Sequence, residues 1–205
     1  MDAYAGIAQI YDPLLQPLMA RVRWEMALYC LHNNLAHVLD MGCGTGRQCI
    51  VFHRHGLQAT GVDSSPAMLE VARAQSPRSI FYLCQDATRT ELPDSSFDAV
   101  TFSFALHENT LPNISRLLQE GQRVLKPQGM LLITDYLPPN TLQQRFMHLG
   151  IAVIERLAGR EHSQNYRRFL SAGGVKRVSN SVLKRRSHAC RSFFFNSFAC
   201  VSWPK

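Results

Sequence analysis

The sequence predicts an α/β fold: an open, mostly parallel sheet with helices on both faces. Three observations carry this. Short apolar runs alternate along the chain with segments of helical spacing, the pattern that requires right-handed crossovers between parallel strands. A glycine-rich turn follows the first of these runs and leads into a helical segment, as Val38-Leu39-Asp40-Met41-Gly42-Cys43-Gly44-Thr45-Gly46-Arg47. The next two runs each finish at a carboxylate, Asp63 and Asp86.

The glycine turn joins a strand to a helix N-terminus, where backbone N–H groups face a ligand and glycine leaves no Cβ in the way. A dinucleotide fingerprint needs glycines at the first, third and sixth positions of the turn. Here they stand at the first, third and fifth, and Arg47 takes the sixth. A pyrophosphate cofactor uses that last glycine for close helix–strand packing, so the spacing argues against a nicotinamide cofactor.

Gln58 to Asp63 reads as a second strand, and Asp63 lies 17 residues past Gly46. That interval suits an acidic residue closing the second strand and accepting from ribose hydroxyls. Ser64 follows it, and Ser65-Pro66 is a helix start, with an N-cap hydroxyl and proline at the first helical position. The helix it opens carries Met68. A third strand over Ile80–Gln85 ends at Asp86-Ala87. Val100–Glu108 reads as the fourth strand, Asn113 as a cap for a helix over Ile114–Val124, and Met130–Tyr136 as the fifth strand.

Taken in order, these motifs resemble the class I S-adenosylmethionine-dependent methyltransferases. The likeness is to the small-molecule, ubiquinone/menaquinone-biosynthesis-like group (methyltransferase type 11). Asp40 with the glycine turn is similar to that family's first motif. Leu92-Pro93 with Phe97-Asp98 resembles its approach to strand four, and Glu120 to Asp135 (Glu-x-x-Arg-Val-Leu-Lys-Pro, then Leu-Leu-Ile-x-Asp) its helix and strand five. The resemblance covers roughly residues 35 to 137.

The resemblance implies a Rossmann-like class I methyltransferase fold, with seven strands, the last antiparallel, and an N-terminal helical lid. It implies S-adenosyl-L-methionine as cofactor, with Asp40, Gly42, Cys43, Gly44 and Gly46 in the loop. It implies Asp63, Ser64 and Met68 on the ribose side, Asp86 and Ala87 at the adenine, and Ser103 and Phe104 near the methionine portion. An ionised carboxylate is acceptor-only and so suits an exocyclic amine. Tyr11 stands where relatives close over the cofactor, or else is a hydrogen-bonded core tyrosine. Asp98 is a family position or simply a polar strand start.

Methyl transfer from a sulfonium needs no protein nucleophile, and none is visible; in-line alignment of the acceptor is the main requirement. A phenol or activated carbon acceptor needs a base, for which His107 is the candidate with Glu108 orienting it; otherwise both residues line or cap the loop. On the segment after strand five, which reads as one helix to Leu157 and a second over Glu161–Leu170, His162, Tyr166 and Arg167 are candidates to face the substrate.

The 205 residues suit one domain: a helical cap over 1–34, a cofactor-binding core over 35–137, and helices with a terminal hairpin over 138–205. In the cap, Tyr11-Asp12-Pro13 is expected to interrupt the helix, and Trp24 and Met26 to pack inward. The hairpin is expected about Asn196-Ser197. Six cysteines at scattered spacings do not form a disulfide framework and suit a cytoplasmic protein; no stretch reaches the ~20 apolar residues of a membrane span. No metal site is expected: there is no Cys-x-x-Cys pair, and His53 and His55 lie only two apart at a helix end. The net charge of +7 is concentrated at the end, where residues 160–205 hold 10 Lys and Arg against Glu161. A small-molecule acceptor is expected. Nucleic acid fits the basic end but lacks any base-stacking or base-amine motif, and a cofactor-binding module without catalysis is the remaining alternative.

Overall fold

The computed structural model describes residues 8–157 and 159–205, without the side chains of 8–18, 189 and 190. Tyr11 therefore lies outside the residues whose side chains are described. The chain begins with α1 (Ala8–His32), which runs unbroken through Asp12-Pro13 and Pro17, so the expected interruption is absent. Then come β1 (His37–Met41), α2 (Arg47–Arg54), β2 (Gln58–Asp63), α3 (Pro66–Gln75), β3 (Phe81–Cys84) and β4 (Phe97–Ser103). The second half is α4 (Leu111–Val124), β5 (Leu125–Tyr136), α5 (Leu142–Leu157), α6 (Arg160–Ser171), α7 (Gly174–Leu183), β6 (Ala189–Phe193) and β7 (Phe198–Pro204).

The seven strands form one sheet in the order β3-β2-β1-β4-β5-β7-β6. β1 to β5 pair in parallel, and β7 inserts antiparallel between β5 and β6. The order reverses at β1 and β4, and a crevice opens beyond their carboxyl ends, the switch point of an open α/β sheet. The central strands are buried on both faces: Val38, Leu39, Ala99, Val100, Leu132 and Ile133 are all fully enclosed. Such strands read as near-continuous apolar runs, which is why the sequence locates them well.

Two boundaries differ from expectation. β4 stops at Ser103, because Phe104 adopts φ +56 and turns the chain, so His107 and Glu108 stand on the following loop. α4 starts earlier: Thr110 is its N-cap, its hydroxyl accepting from the Asn113 N–H, with Pro112 in the first turn. Asn113 is thus inside the helix. α7 is an element that the sequence reading did not anticipate.

Within α1, Met26 packs into the core as expected, its sulfur 3.2 Å from the Thr134 hydroxyl, whereas Trp24 is exposed. α5 is inverted relative to a simple amphipathic helix. It buries Gln144, His148 and Glu155 and exposes Leu142, Phe146, Leu149, Val153 and Leu157. Among the described residues, no helix is long and apolar enough to cross a membrane.

Candidate active site

The crevice has a volume of about 1020 Å3 and is bordered by the glycine turn, the ends of β2, β3 and β4, and α1. The turn is held from below. Gly42 and Cys43 both donate their N–H to the Val62 carbonyl, at 2.8 and 3.0 Å. Asp63 accepts from the Gly44 N–H at 2.7 Å and from the Ser65 N–H at 2.9 Å, so one carboxylate ties the turn to the start of α3. Gly42, Gly44 and Gly46 all have positive φ, yet they differ in what surrounds them. A Cβ on Gly44 would meet no protein atom within 4 Å, at a position that lines the crevice. A Cβ on Gly46 would instead strike the Tyr82 hydroxyl. Gly46 is therefore small for packing of α2 against β3, and it does not line the crevice.

Asp40 sits beneath the turn, almost fully buried, with Oδ1 accepting from the Thr101 hydroxyl at 2.7 Å. Burial pushes its carboxyl up to about 7, although the Thr101 hydrogen bond works the other way. Asp86 is exposed at the rim, its Oδ1 accepting from the Thr88 N–H at 2.8 Å. Cys43, Ser64, Met68, Ala87, Ser103 and Phe104 line the same crevice with Asp40, Asp63 and Asp86. Asp98 lies elsewhere: it accepts from the His37 N–H at 2.8 Å and pairs with Lys126 at 2.7 Å, stapling the starts of β1, β4 and β5.

At the far end, His107 and Glu108 border the crevice, but they are not paired as the sequence suggested. Asp135 orients the His107 ring, with Oδ1 2.9 Å from Nδ1, while Oδ2 accepts from the backbone N–H groups of Leu106 and His107. Glu155 stands 3.4 Å from Nε2. Burial alone would pull the imidazole pKa down, but the Asp135 charge and hydrogen bond, reinforced by Glu155, raise it well above 6.5. That shift works against His107 as a ready base, and Glu108 faces His162 at 3.4 Å.

The three α6 candidates separate. His162 sits on Glu108 and Glu155; Tyr166 is buried against His148 and Tyr136; Arg167 is exposed. None of the three lines the crevice. Sequence reasoning assigned no role to Asp135 or Glu155, and it missed Arg23, Asn113 and Arg116, which do line the crevice. Asp135 had a signal, an acid closing an otherwise apolar strand; Glu155 had none.

The residues present fit S-adenosylmethionine. Bare main chain borders the crevice at Gly44, and two carboxylates, Asp63 and Asp86, follow successive strand ends. The crevice thus offers bare main chain and acceptor carboxylates, with Arg47 rather than glycine at the sixth position of the turn. Residues 39–133 match the model of the family described as Methyltransferase domain. The demethylmenaquinone methyltransferase of Tropheryma whipplei is 34% identical over 159 residues, which cover 74% of this chain and 65% of that protein. That of Thermotoga maritima is 35% identical over 147 residues, covering 69% and 63%. The chain thus spans just under two thirds of these relatives' length. A solved S-adenosylmethionine-dependent methyltransferase from Thermotoga maritima superposes with a TM-score of 0.66, at 18% identity, over 99% of this chain and 98% of that one, a likeness of fold. Residues 39–133 thus resemble the methyltransferase domain family, and 74% of the chain is similar to a demethylmenaquinone methyltransferase.

Proposed function

We propose that the chain transfers a methyl group from S-adenosylmethionine to a small-molecule acceptor held at the His107 end of the crevice. The observation that carries this is the Asp63 carboxylate fastening the Gly44 amide at 2.7 Å, at the one turn glycine whose missing Cβ leaves open space. When bound, the cofactor supplies a methyl group on a sulfonium, already a good leaving group.

In this reading Gly42, Cys43 and Gly44 lie against the methionine part, with Ser103 and Phe104. Asp63 uses its remaining lone pairs for ribose hydroxyls, and Asp86 accepts from the adenine amine beside Ala87. Ser64 and Met68 flank the nucleoside. Rate enhancement comes from alignment and exclusion of water, which oriented binding of two reactants supplies. The named relatives act on demethylmenaquinone by their titles, which supports a ring-bearing small acceptor here.

The test is incubation with methyl-labelled S-adenosylmethionine and a panel of phenolic and quinol acceptors, read by mass spectrometry. Labelled product that disappears in Asp63→Ala is the expected result. Failure to bind the cofactor in equilibrium dialysis would overturn the reading.

A further inference from the structure

We propose that His107, Glu108 and His162, with Glu155 beside them, form a binding site for one divalent first-row transition-metal ion. The site joins the loop after β4 to α5 and α6. Ligand atoms of His107, Glu108 and His162 all lie within 4.8 Å of one another. His162 Nε2 is 3.4 Å from Glu108 Oε1 and 3.4 Å from Glu155 Oε2, and His107 Nε2 is 3.4 Å from Glu155 Oε1.

These equal separations carry the argument. A charge-assisted N–H···O hydrogen bond closes to about 2.7–2.9 Å. The other nitrogen of the same ring does so, with Nδ1 2.9 Å from Asp135. Within the three-residue set, the His162 Nε2–Glu108 Oε1 separation of 3.4 Å is longer than that. It suits two donors on one ion, because bonds of about 2.1 Å in a tetrahedral arrangement set neighbouring donors about 3.4 Å apart. Glu155 stands at the same distance from both histidines through its two oxygens.

The surroundings are those of a metal site. Metal-bound histidines donate their second ring nitrogen to a carboxylate, which fixes the tautomer and aims the lone pair. Asp135 does this for His107 and leaves Nε2 toward the cluster. Asn165 donates to the Glu108 carbonyl at 2.7 Å, fastening the β4 loop to α6 and holding Glu108 against His162. Glu155 is turned inward at only 2% exposure, on a helix that shows its leucines to solvent. Three carboxylates, Asp135, Glu155 and Glu108, meet two imidazoles in a largely enclosed space, and a divalent cation balances that charge.

Two imidazoles with carboxylate oxygens suit zinc, iron, manganese or cobalt; calcium and magnesium prefer all-oxygen sets. His107 and Glu108 also line the crevice, so an ion there borders the acceptor space. A further consequence rests on the methyl-transfer reading: a hydroxyl-bearing acceptor that coordinates the ion would have its pKa lowered and release its proton to solvent more easily.

The experiment is titration of the chelator-treated full chain with Co2+ alone. It is read by visible d–d absorption and by metal content after gel filtration. One ion retained per chain is expected. Glu108→Gln and His162→Gln should each weaken retention by about tenfold or more, with His53→Ala on α2 unchanged. No retention by the wild-type chain, or retention unaltered in both variants, would overturn the site. S-adenosylmethionine binding, measured by equilibrium dialysis on the same preparations, separates the two ideas. Cofactor binding without metal uptake removes only the metal site, and metal uptake without cofactor binding removes only the methyl-transfer reading.

Discussion

Asp135 holds His107 through both of its oxygens, Oδ1 on the ring Nδ1 at 2.9 Å and Oδ2 on the backbone N–H at 3.2 Å. The ring also faces Glu155 from α5, His162 from α6 and Tyr136 from β5, and it is 2% exposed. Its pKa lies well above 6.5 in the fold. In the unfolded chain it returns to about 6.5. Below that pH both states carry the proton and the stabilisation is complete. It is lost as pH rises through the folded value. The metal-free chain should therefore show a thermal midpoint that falls from neutral pH toward pH 9. His107→Gln should start lower, by roughly 3–5 kcal/mol for a broken buried pair, and should vary less over the same range. A midpoint in the wild-type chain that is flat above pH 7 would contradict this account.

Asp40 gives a second pH effect with its own window. Its carboxyl moves from 3.8 up to about 7 on folding, because the charged form is enclosed at 1% exposure. A group with a raised folded pKa stabilises fully below its unfolded value and loses that stabilisation as pH rises through the folded one. Asp40→Asn keeps an acceptor for the Thr101 hydroxyl and carries no charge. In urea unfolding the variant should gain on the wild type as pH rises from about 4, and the gain should level off near pH 7. The plateau is on the order of a few kcal/mol, at about 1.4 kcal/mol per pKa unit. A constant difference across that range would remove the assignment.

The parts of the fold legible in the sequence are those where one local pattern decides the outcome. β2 ends at Asp63 and α3 begins at Pro66 because an apolar run, a capping serine and a proline act together over a few residues. The glycine turn was legible for its positions, but not for the reason behind each. Only the packing of Tyr82 separates the structural Gly46 from the crevice-lining Gly44. The far end of the site was not legible. Periodicity alone would turn Leu142, Phe146 and Leu149 of α5 inward, whereas the helix lays His148 and Glu155 against the core and leaves those side chains exposed. Glu155 and Asp135 meet His107 only through contacts between residues far apart in the chain, and no spacing in the sequence records them.

Glu120 and Arg123 tie the loop before β4 to α4. Thr90 donates both its N–H and its hydroxyl to Glu120 Oε1, at 2.7 and 2.6 Å, while Arg123 reaches Glu120 Oε2 at 2.9 Å and the Leu92 carbonyl at 2.8 Å. Burial works to raise the Glu120 carboxyl, but the Arg123 and Thr90 hydrogen bonds outweigh it and hold it at about 2. A depressed carboxylate stabilises above its unfolded value and loses this as pH falls through the folded one. Glu120→Gln should cost about 1–3 kcal/mol in urea unfolding at pH 7. The difference should shrink between pH 4.5 and pH 2, since the wild-type residue is then protonated too. An undiminished difference at the acid end would show that shape, not charge, holds the loop to α4.

Gly44 and Gly46 separate binding from stability within one turn. At Gly46, φ is +76 and an added Cβ would lie 2.8 Å from the Tyr82 ring carbon that bears the hydroxyl, so Gly46→Ala meets both backbone strain and overpacking. It should lose about 2–4 kcal/mol, of which about 1–2 comes from the left-handed backbone. The overpacking part should return when Tyr82 is also cut to alanine. At Gly44, φ is +52 and the added methyl meets no protein atom, so the stability cost is the backbone part alone. Yet that methyl stands where the main chain borders the crevice, and it should weaken S-adenosylmethionine binding by about tenfold or more, the 1.4 kcal/mol of one displaced contact. Equilibrium dialysis and thermal melts on the two single variants make the comparison. If Gly44→Ala binds the cofactor as the wild type does, the turn is not its cradle, and the assignments of Asp63 and Asp86 to the nucleoside fail with it.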